Sequence, residues 1–549
     1  MLPPGSNLRA PLLWLLVPFM AGLTAGKLWP APIFPLPIIA GWAVAACGAA
    51  AVLARRPTAA ARRLWPALLT GGVGLAGYVY LVAQTPPLAG WEETPREVTV
   101  TLEVTQVFPV ATSAKYASGL GRITATDELV AELRGQRVYF SAIRKVSVPP
   151  LRSGRYLVRG VVQAPPPGPA GPGFDDYLEN LGVRLRLTRA QILREERAPG
   201  WWPRFLARTG DRFEKILRRG LERHPETASL YLAMLLGEKT MLSAEEQTAF
   251  MRSGTFHIFS VSGLHVAAIA AALLSVLTLL RVPRRWAMVP GLAVLWLYVG
   301  VTGAGSPSVR AFLLIAFLAG TRCFRLPGNA LAALTAAALL TLLLDPRQLF
   351  STGFQMSYAV VTALVVMGVP LAERWQAAWQ PFADRPAPDW RWWHHAVRTG
   401  GRGLLGALAG STVAFLASTP SGIGYFRVLS TGSLVANLIV IPLSSLAIVA
   451  GFVSLLAGLP GWLAASGLFN RAAAVLIIAM DWLVRAGGTL PGMYFPARFR
   501  AEWMAPAALA AVVAAMLAGA HFRWAAHRGG FWPPVALVAL VVILGVKFG

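Results

Sequence analysis

Cysteine is almost missing from this chain. Only Cys47 and Cys323 occur in 549 residues, far apart and in or beside hydrophobic stretches. That excludes a disulfide framework and argues against a thiolate metal site. No G-x-x-x-x-G-K-[ST] loop is present, so no phosphate-cradling segment couples nucleotide hydrolysis to work. Charge is sparse, at 14% of residues, and negative charge is the sparser: 25 Asp and Glu against 50 Lys and Arg give a net charge of +25. No cleavable leader is evident, and Leu12 to Thr24 reads as a first anchor that stays.

Apolar sequence is what the chain has in excess: 55% of its residues are hydrophobic and its mean hydropathy is +0.55. Stretches long enough to cross a bilayer follow one another. They fall at about 10–28, 35–54, 64–84, 258–280, 286–302, 307–321, 329–344, 352–371, 403–419, 430–457, 464–487, 502–519 and 531–547. The expected fold is therefore an α-helical polytopic membrane protein of about 13 spans. Arg55, Arg56, Arg62 and Arg63 lie between the second and third stretches. Arg281, Arg284, Arg285, Arg322 and Arg325 fall in later loops, as do Arg374, Arg385, Arg391, Arg398 and Arg402, and then His521, Arg523, His527 and Arg528. All land on one side, the cytoplasmic one, if the segment after the third span faces out. The positive charge then follows mostly from topology, although a polyanionic partner would also account for it.

That segment, about 90–197, has a different character. Val98, Val100, Leu102 and Val104 alternate with Thr99, Thr101, Glu103 and Thr105, the period of a half-buried strand. Weaker alternation returns at 138–143, 156–162 and 183–187, and Ala164 to Gly173 is a Pro/Gly loop. Short strands and turns predict a small barrel or sandwich inserted after the third span. Arg184, Arg186 and Arg189 supply either a basic binding face or an ordinary solvated one. Residues 203–223 are amphipathic, with Trp201 and Trp202 ahead of them, and read as a helix lying on the membrane. Leu230 to Leu236 is apolar but too short to span and leads to Gly237-Glu238-Lys239, and Ser243 to Glu246 is a capping box.

The domains expected are N-terminal membrane helices (1–89), the β insert (90–197), interfacial helices (198–253) and a membrane domain (254–549). The last opens on Gly-Thr-Phe-His-Ile-Phe-Ser-Val-Ser-Gly-Leu-His-Val, residues 254–266. Two readings fit this stretch. One is a capped helix end whose Ser and His are satisfied by nearby backbone. The other is a broken helix beside an aqueous path, since polar groups in hydrocarbon are costly unless they pair or line a cavity. Further polar groups sit in apolar surroundings: Arg310 in Pro307-Ser-Val-Arg310-Ala311, Gln355 in Gly353-Phe-Gln-Met-Ser-Tyr358, Asn437 in Ala436-Asn-Leu-Ile-Val-Ile-Pro442, and Asp481. Ser262 and His265 are three apart, but no orienting carboxylate is evident for a hydrolytic triad.

In this order, His257 to Val266 and the Pro-Ser-x-x-Arg-Ala, Gly-Phe-Gln and Ala-Asn-Leu-x-x-x-Pro elements resemble the ComEC family of competence proteins, together with Leu235-Leu-Gly-Glu238 and Phe174-Asp-Asp-Tyr-Leu178. The resemblance implies an inner-membrane channel for uptake of single-stranded DNA during transformation, not an enzyme, with an OB-like extracytoplasmic domain. It implies a DNA path shaped by His257, Ser262, Gly263, His265, Arg310, Gln355 and Asn437, and no cofactor or metal. Implied partners are single-stranded DNA, membrane lipids, a DNA receptor, a cytoplasmic helicase and a separate nuclease. Many members carry a further metallo-β-lactamase-like domain with a His-x-His-x-Asp-His cluster. The sequence given ends at Gly549 and its seven histidines form no such cluster, so a short form lacking that domain is expected. A transporter of a small molecule or lipid on a related bundle is the alternative.

Overall fold

The fold was analysed in a computed structural model. It describes residues 10–548 except 85–94, 109–115, 127, 145–149, 165–173, 238–241, 260, 325–327, 385, 387–388 and 523–529. Glu238, Lys239, Ser260, Arg325, Arg385, Arg523, His527, Arg528 and nearly all of the Pro/Gly loop lie outside the described residues.

Three helices open the chain: α1 (Leu13–Leu28), α2 (Leu36–Ala54) and α3 (Ala59–Ala83). Strands β1 (Arg96–Phe108), β2 (Tyr116–Thr126), β3 (Arg137–Arg144) and β4 (Arg155–Gln163) follow, then α4 (Phe174–Asn180) and β5 (Leu185–Arg197). Next come α5 (Trp201–Arg218), α6 (Pro225–Leu236), α7 (Ala244–Arg252), α8 (Gly263–Leu279), α9 (Arg284–Val301), α10 (Ser306–Cys323) and α11 (Ala330–Leu344). A 3-10 turn (Pro346–Phe350) leads to α12 (Thr352–Ala363), which a π-turn joins to α13 (Val369–Ala378). The rest is α14 (Trp392–Phe426), β6 (Val428–Leu429), α15 (Ser433–Gly458), α16 (Leu463–Gly488), β7 (Phe495–Phe499), α17 (Met504–His521), α18 (Trp532–Gly545) and β8 (Val546–Phe548). Among the described residues, seven helices are long and apolar enough to cross a membrane and six more are apolar but shorter. Each apolar stretch read from the sequence has its helix.

Two compact units emerge: residues 1–200 with 327–354, and residues 201–326 with 355–549. In the first, α3 packs against α1 and α2 through glycine. A Cβ on Gly22 would lie 1.8 Å from the Gly74 carbonyl oxygen, one on Gly77 2.5 Å from that of Phe19, and one on Gly72 3.0 Å from that of Ala43. Small residues that bring backbones this close replace the hydrophobic drive that lipid removes. Helix α11 belongs to this unit, where the Tyr80 hydroxyl donates to the Leu343 carbonyl at 2.5 Å.

The insert is a closed five-stranded barrel in the order β1-β2-β3-β5-β4, antiparallel throughout except for the parallel pair β3 and β5. Val98, Val100, Leu102, Ile123, Val138, Phe140, Val158, Leu185 and Leu187 fill its core. Strand β2 escaped the sequence reading because Gly119 and Gly121 interrupt its alternation. Each faces a crowded neighbour, the Gln106 carbonyl oxygen at 2.1 Å and the Leu102 side chain at 2.6 Å.

The second unit is built around α6. Residues Tyr231 to Leu235 are wholly covered by protein, so the stretch too short to span is a core helix. Tyr298 on α9 donates to the Leu235 carbonyl at 2.6 Å. Asn470 on α16, fully buried, accepts from Tyr231 at 3.1 Å and donates to the Ile216 and Arg219 carbonyls at 2.8 and 3.0 Å. It thereby satisfies the open C-terminal carbonyls of α5. Phe213 and Leu217 of α5 are buried in protein, while Trp201 and Phe205 remain exposed. The basic segment between the apolar stretches 352–371 and 403–419 is helical at both ends, within α13 and from Trp392 on. A small sheet in the order β6-β7-β8 was not anticipated.

Gly22→Ala is expected to lower the thermal stability of the purified protein by roughly 1–3 kcal/mol, the usual cost of overpacking. Gly41→Ala and Gly48→Ala on α2, whose Cβ would meet nothing within 4 Å, should leave it unchanged. Equal losses at all three would contradict glycine-mediated packing.

Candidate functional site

The stretch before α8 is built from two consecutive helix ends. Ser243 and Glu246 cap α7, with Ser243 N–H donating to Glu246 Oε2 at 2.8 Å. Gly254 ends that helix in the left-handed region, at φ +73°, where other residues are strained. It is pressed against α15: a Cβ there would lie 2.8 Å from the Ser430 and Ser433 side chains, and Ser430 Oγ donates to the Arg252 carbonyl at 2.8 Å. A single 3-10 turn (Phe256–Phe259) follows, with His257 exposed and its Nδ1 3.3 Å from the Gly254 carbonyl oxygen.

Helix α8 then begins with a capping box in which histidine takes the place usually held by Glu or Gln. Ser262 is the N-cap and His265 the third helical residue. The Ser262 backbone N–H donates to His265 Nδ1 at 3.0 Å, and Ser262 Oγ lies 2.7 Å from the same nitrogen. A ring nitrogen that accepts a backbone N–H carries no proton, which leaves the proton of the neutral ring on Nε2. His265 is 2% exposed, and its Nε2 makes no well-formed hydrogen bond among the described residues.

Gly263 brings α8 against α10, where a Cβ would lie 3.7 Å from that of Ala311. The neighbouring Arg310 is 2% exposed. Its guanidinium contacts Ser306 Oγ, one turn earlier, and lies 5.9 Å from the centre of the Tyr358 ring on α12. Gln355 sits one turn before Tyr358, and its Oε1 accepts from the Tyr425 hydroxyl of α14 at 2.9 Å. The sequence-expected residues Gly263, His265, Arg310 and Gln355 thus fall along one polar band shared by α8, α10, α12 and α14. Asn437 lies one turn after Ser433, the α15 residue touched by the Gly254 turn, and its Oδ1 is buried without a hydrogen bond among the described residues. Asp481 pairs with Arg485 at 2.9 Å, a local pair on α16, and Asp345 caps its own 3-10 turn. Tyr358 and Tyr425 close the band; only the first shares a sequence face with a singled-out residue.

The barrel arginines do not form one face. Arg189 stands in a bulge at φ +49°, skipped by the ladders to both neighbouring strands, Arg186 is half-buried on β5 beside Tyr139 and Gln163, and Arg184 turns to other arginines. Among the described residues, no group of three or more His, Cys, Asp or Glu side chains could hold a metal ion.

The family model described as Competence protein matches residues 234–525, more than half of the chain and all of the band. The chain belongs to this family. It is also 32% identical over 143 residues to ComE operon protein 3 of Bacillus subtilis (strain 168), an alignment that covers 26% of this chain and 18% of that protein. No solved structure matches. As a family member with seven helices fit to span, it is a multi-pass membrane protein.

The capping geometry makes a specific forecast. His265→Ala removes the acceptor for the Ser262 N–H and is expected to destabilise the purified protein by about 1 kcal/mol. His265→Gln restores an acceptor at the same position and should unfold close to the parent temperature. A glutamine variant as unstable as the alanine one would show that the ring, not the cap, matters to folding.

Proposed function

We propose that this competence protein is an inner-membrane channel for the uptake of single-stranded DNA during transformation. The observation that carries the reading is the polar band of His265, Arg310 and Gln355 inside an apolar helical unit. A guanidinium held at 2% exposure, a ring donor and an amide are groups that replace water around a passing phosphate. Membership of the competence family supports the substrate.

In this reading about thirteen helices cross the bilayer, the barrel lies outside the cytoplasmic membrane, and the basic loops lie inside. Strand order β1-β2-β3-β5-β4 with one parallel pair supports describing the barrel as OB-like, a fold that often holds single strands. Ser262 and His265 act as a cap and not as nucleophile and base, a role supported by Nδ1 serving the Ser262 backbone, and the chain is read as a passage and not an enzyme. Energy and strand degradation then come from separate proteins, a cytoplasmic helicase and a nuclease, and a DNA receptor delivers the strand.

Uptake of labelled DNA and abundance of the protein, measured in the same complemented deletion strains, test this. Arg310→Gln is expected to lower uptake per folded molecule about tenfold or more, the worth of a charge-assisted hydrogen bond. Gly263→Leu should block uptake by bulk. Undiminished uptake in the deletion strain would remove DNA as the cargo and favour a small-molecule or lipid transporter. Uptake that merely tracks abundance would reduce the band to a structural role.

A further inference from the structure

A second cluster of positive charge lies in the barrel unit. Arg122 on β2 is the direct ladder partner of Arg137 on β3. Arg184 immediately precedes Leu185, the strand partner of Val138, and so comes level with Arg137 on the next strand. Three arginines therefore stand in a row across β2, β3 and β5, about 4.8 Å from strand to strand. Like charges placed opposite one another destabilise a sheet.

A fourth arginine closes the row. Arg347, in the 3-10 turn after α11, is 7% exposed and donates to the Gln84 carbonyl at the end of α3, 2.5 Å away. Its guanidinium lies against Gly182, where a Cβ would fall 2.7 Å from Nε, and Gly182 has φ +71°. The four arginines, with Gln84, Gln136 and the Gly135 and Gly182 backbone, line a cavity of about 310 Å3. No carboxylate lines it among the described residues. Glu103, the strand partner of Arg122, is engaged by Arg155 at 3.0 Å. Burial, and then the charges of Arg137, Arg184 and Arg122, press the Arg347 guanidinium below its usual range, against the pull of Asp345.

The same face of the barrel carries aromatic rings. Tyr139 is two residues along β3 from Arg137, roughly 7 Å away. Around it gather Phe108, Phe174 and Tyr177, with the Tyr139 and Phe174 rings centred 5.0 Å apart. Phe174 and Tyr177 are exposed.

We propose that Arg122, Arg137, Arg184 and Arg347 form a binding cleft for backbone phosphate of single-stranded nucleic acid, with the adjoining aromatic patch taking a base. Guanidinium groups match phosphate oxygens in forked pairs, and an anion offsets the repulsion along the row. A phospholipid headgroup offers the same phosphate but has no ring to stack. The assignment rests on the DNA reading above and gives it a site that Arg184 alone did not define.

The test uses the full-length chain in phosphatidylcholine nanodiscs with a fluorescent oligodeoxythymidine at two salt concentrations. The combined Arg122→Gln, Arg137→Gln, Arg184→Gln variant should bind about tenfold or more weakly and lose about 0.7 from the salt slope for each phosphate contact removed. Its unfolding temperature should hold or rise, because repulsion is relieved. Phe174→Ala should weaken binding about tenfold with the salt slope kept. If the Gln variant unfolds early, the three Arg→Lys changes decide: weaker binding with normal stability supports the cleft, because an ammonium cannot make the forked pair, and binding equal to the parent's overturns it. Strand binding by the parent but equally by the Gln variant overturns the cleft and leaves the DNA reading standing. No strand binding by the parent at either salt removes both. A phospholipid that co-purifies with the parent and not with the Gln variant, with strand binding unchanged, assigns the cleft to lipid.

Discussion

Keeping polar groups in hydrocarbon is the constraint on which the helical unit depends. Arg310 and His265 are each 2% exposed, and an unsatisfied polar group at such depth costs several kcal/mol. The unit meets this locally. His265 spends one ring nitrogen on the N-terminus of its own helix. Arg310 leans on Ser306 and the Tyr358 ring. Asn470 spends its amide on the C-terminal carbonyls of α5 and its oxygen on Tyr231, while Ser454 and Ser466 share a hydrogen bond of 2.8 Å between α15 and α16. Some of these groups hold helices together. Asn437 Oδ1 is left buried without a hydrogen bond among the described residues.

Packing without a hydrophobic drive explains the glycines. Gly72, Gly74 and Gly77 of α3 serve helix approach, and α1 and α2 come within carbonyl contact of it. In the barrel the physics is that of water-soluble proteins: alternating Val, Leu and Ile fill a closed core, and charge is left to the outside. Strand register there brings Arg122, Arg137 and Arg184 side by side, with Arg347 of the turn after α11 against them.

Much of this was legible in the residues. Twenty-residue apolar runs announce helices, and the Val98 to Val104 alternation announces β1, because each period reports one burial face. The capping box at Ser243 and the close of α7 at Gly254 were readable from local chemistry. Three things were not. Strand β2 is too rich in glycine to alternate. The 12 residues of α6 form a core helix only because α5, α15, α16 and the 3-10 turn before α8 pack on them, which no window of sequence shows. The arginine row joins residues 122, 137, 184 and 347 through strand register and a turn some 160 residues downstream, so Arg184 was grouped with its sequence neighbours Arg186 and Arg189. The histidine cap falls outside the usual S/T-x-x-E/Q signature, yet the capped-helix-end reading of residues 254–266 describes it.

Whether the polar band borders a passage for DNA is decided most directly by thiol accessibility. In a background with Cys47→Ala and Cys323→Ala, Gln355→Cys is treated with a membrane-impermeant thiol reagent. The treatment is repeated with a single strand capped by a bulky protein at its trailing end, so that it stalls in transit. The account predicts that the reagent reaches position 355 from the aqueous side and that the stalled strand protects it. A position that never reacts, or reacts equally with the strand in place, would contradict it.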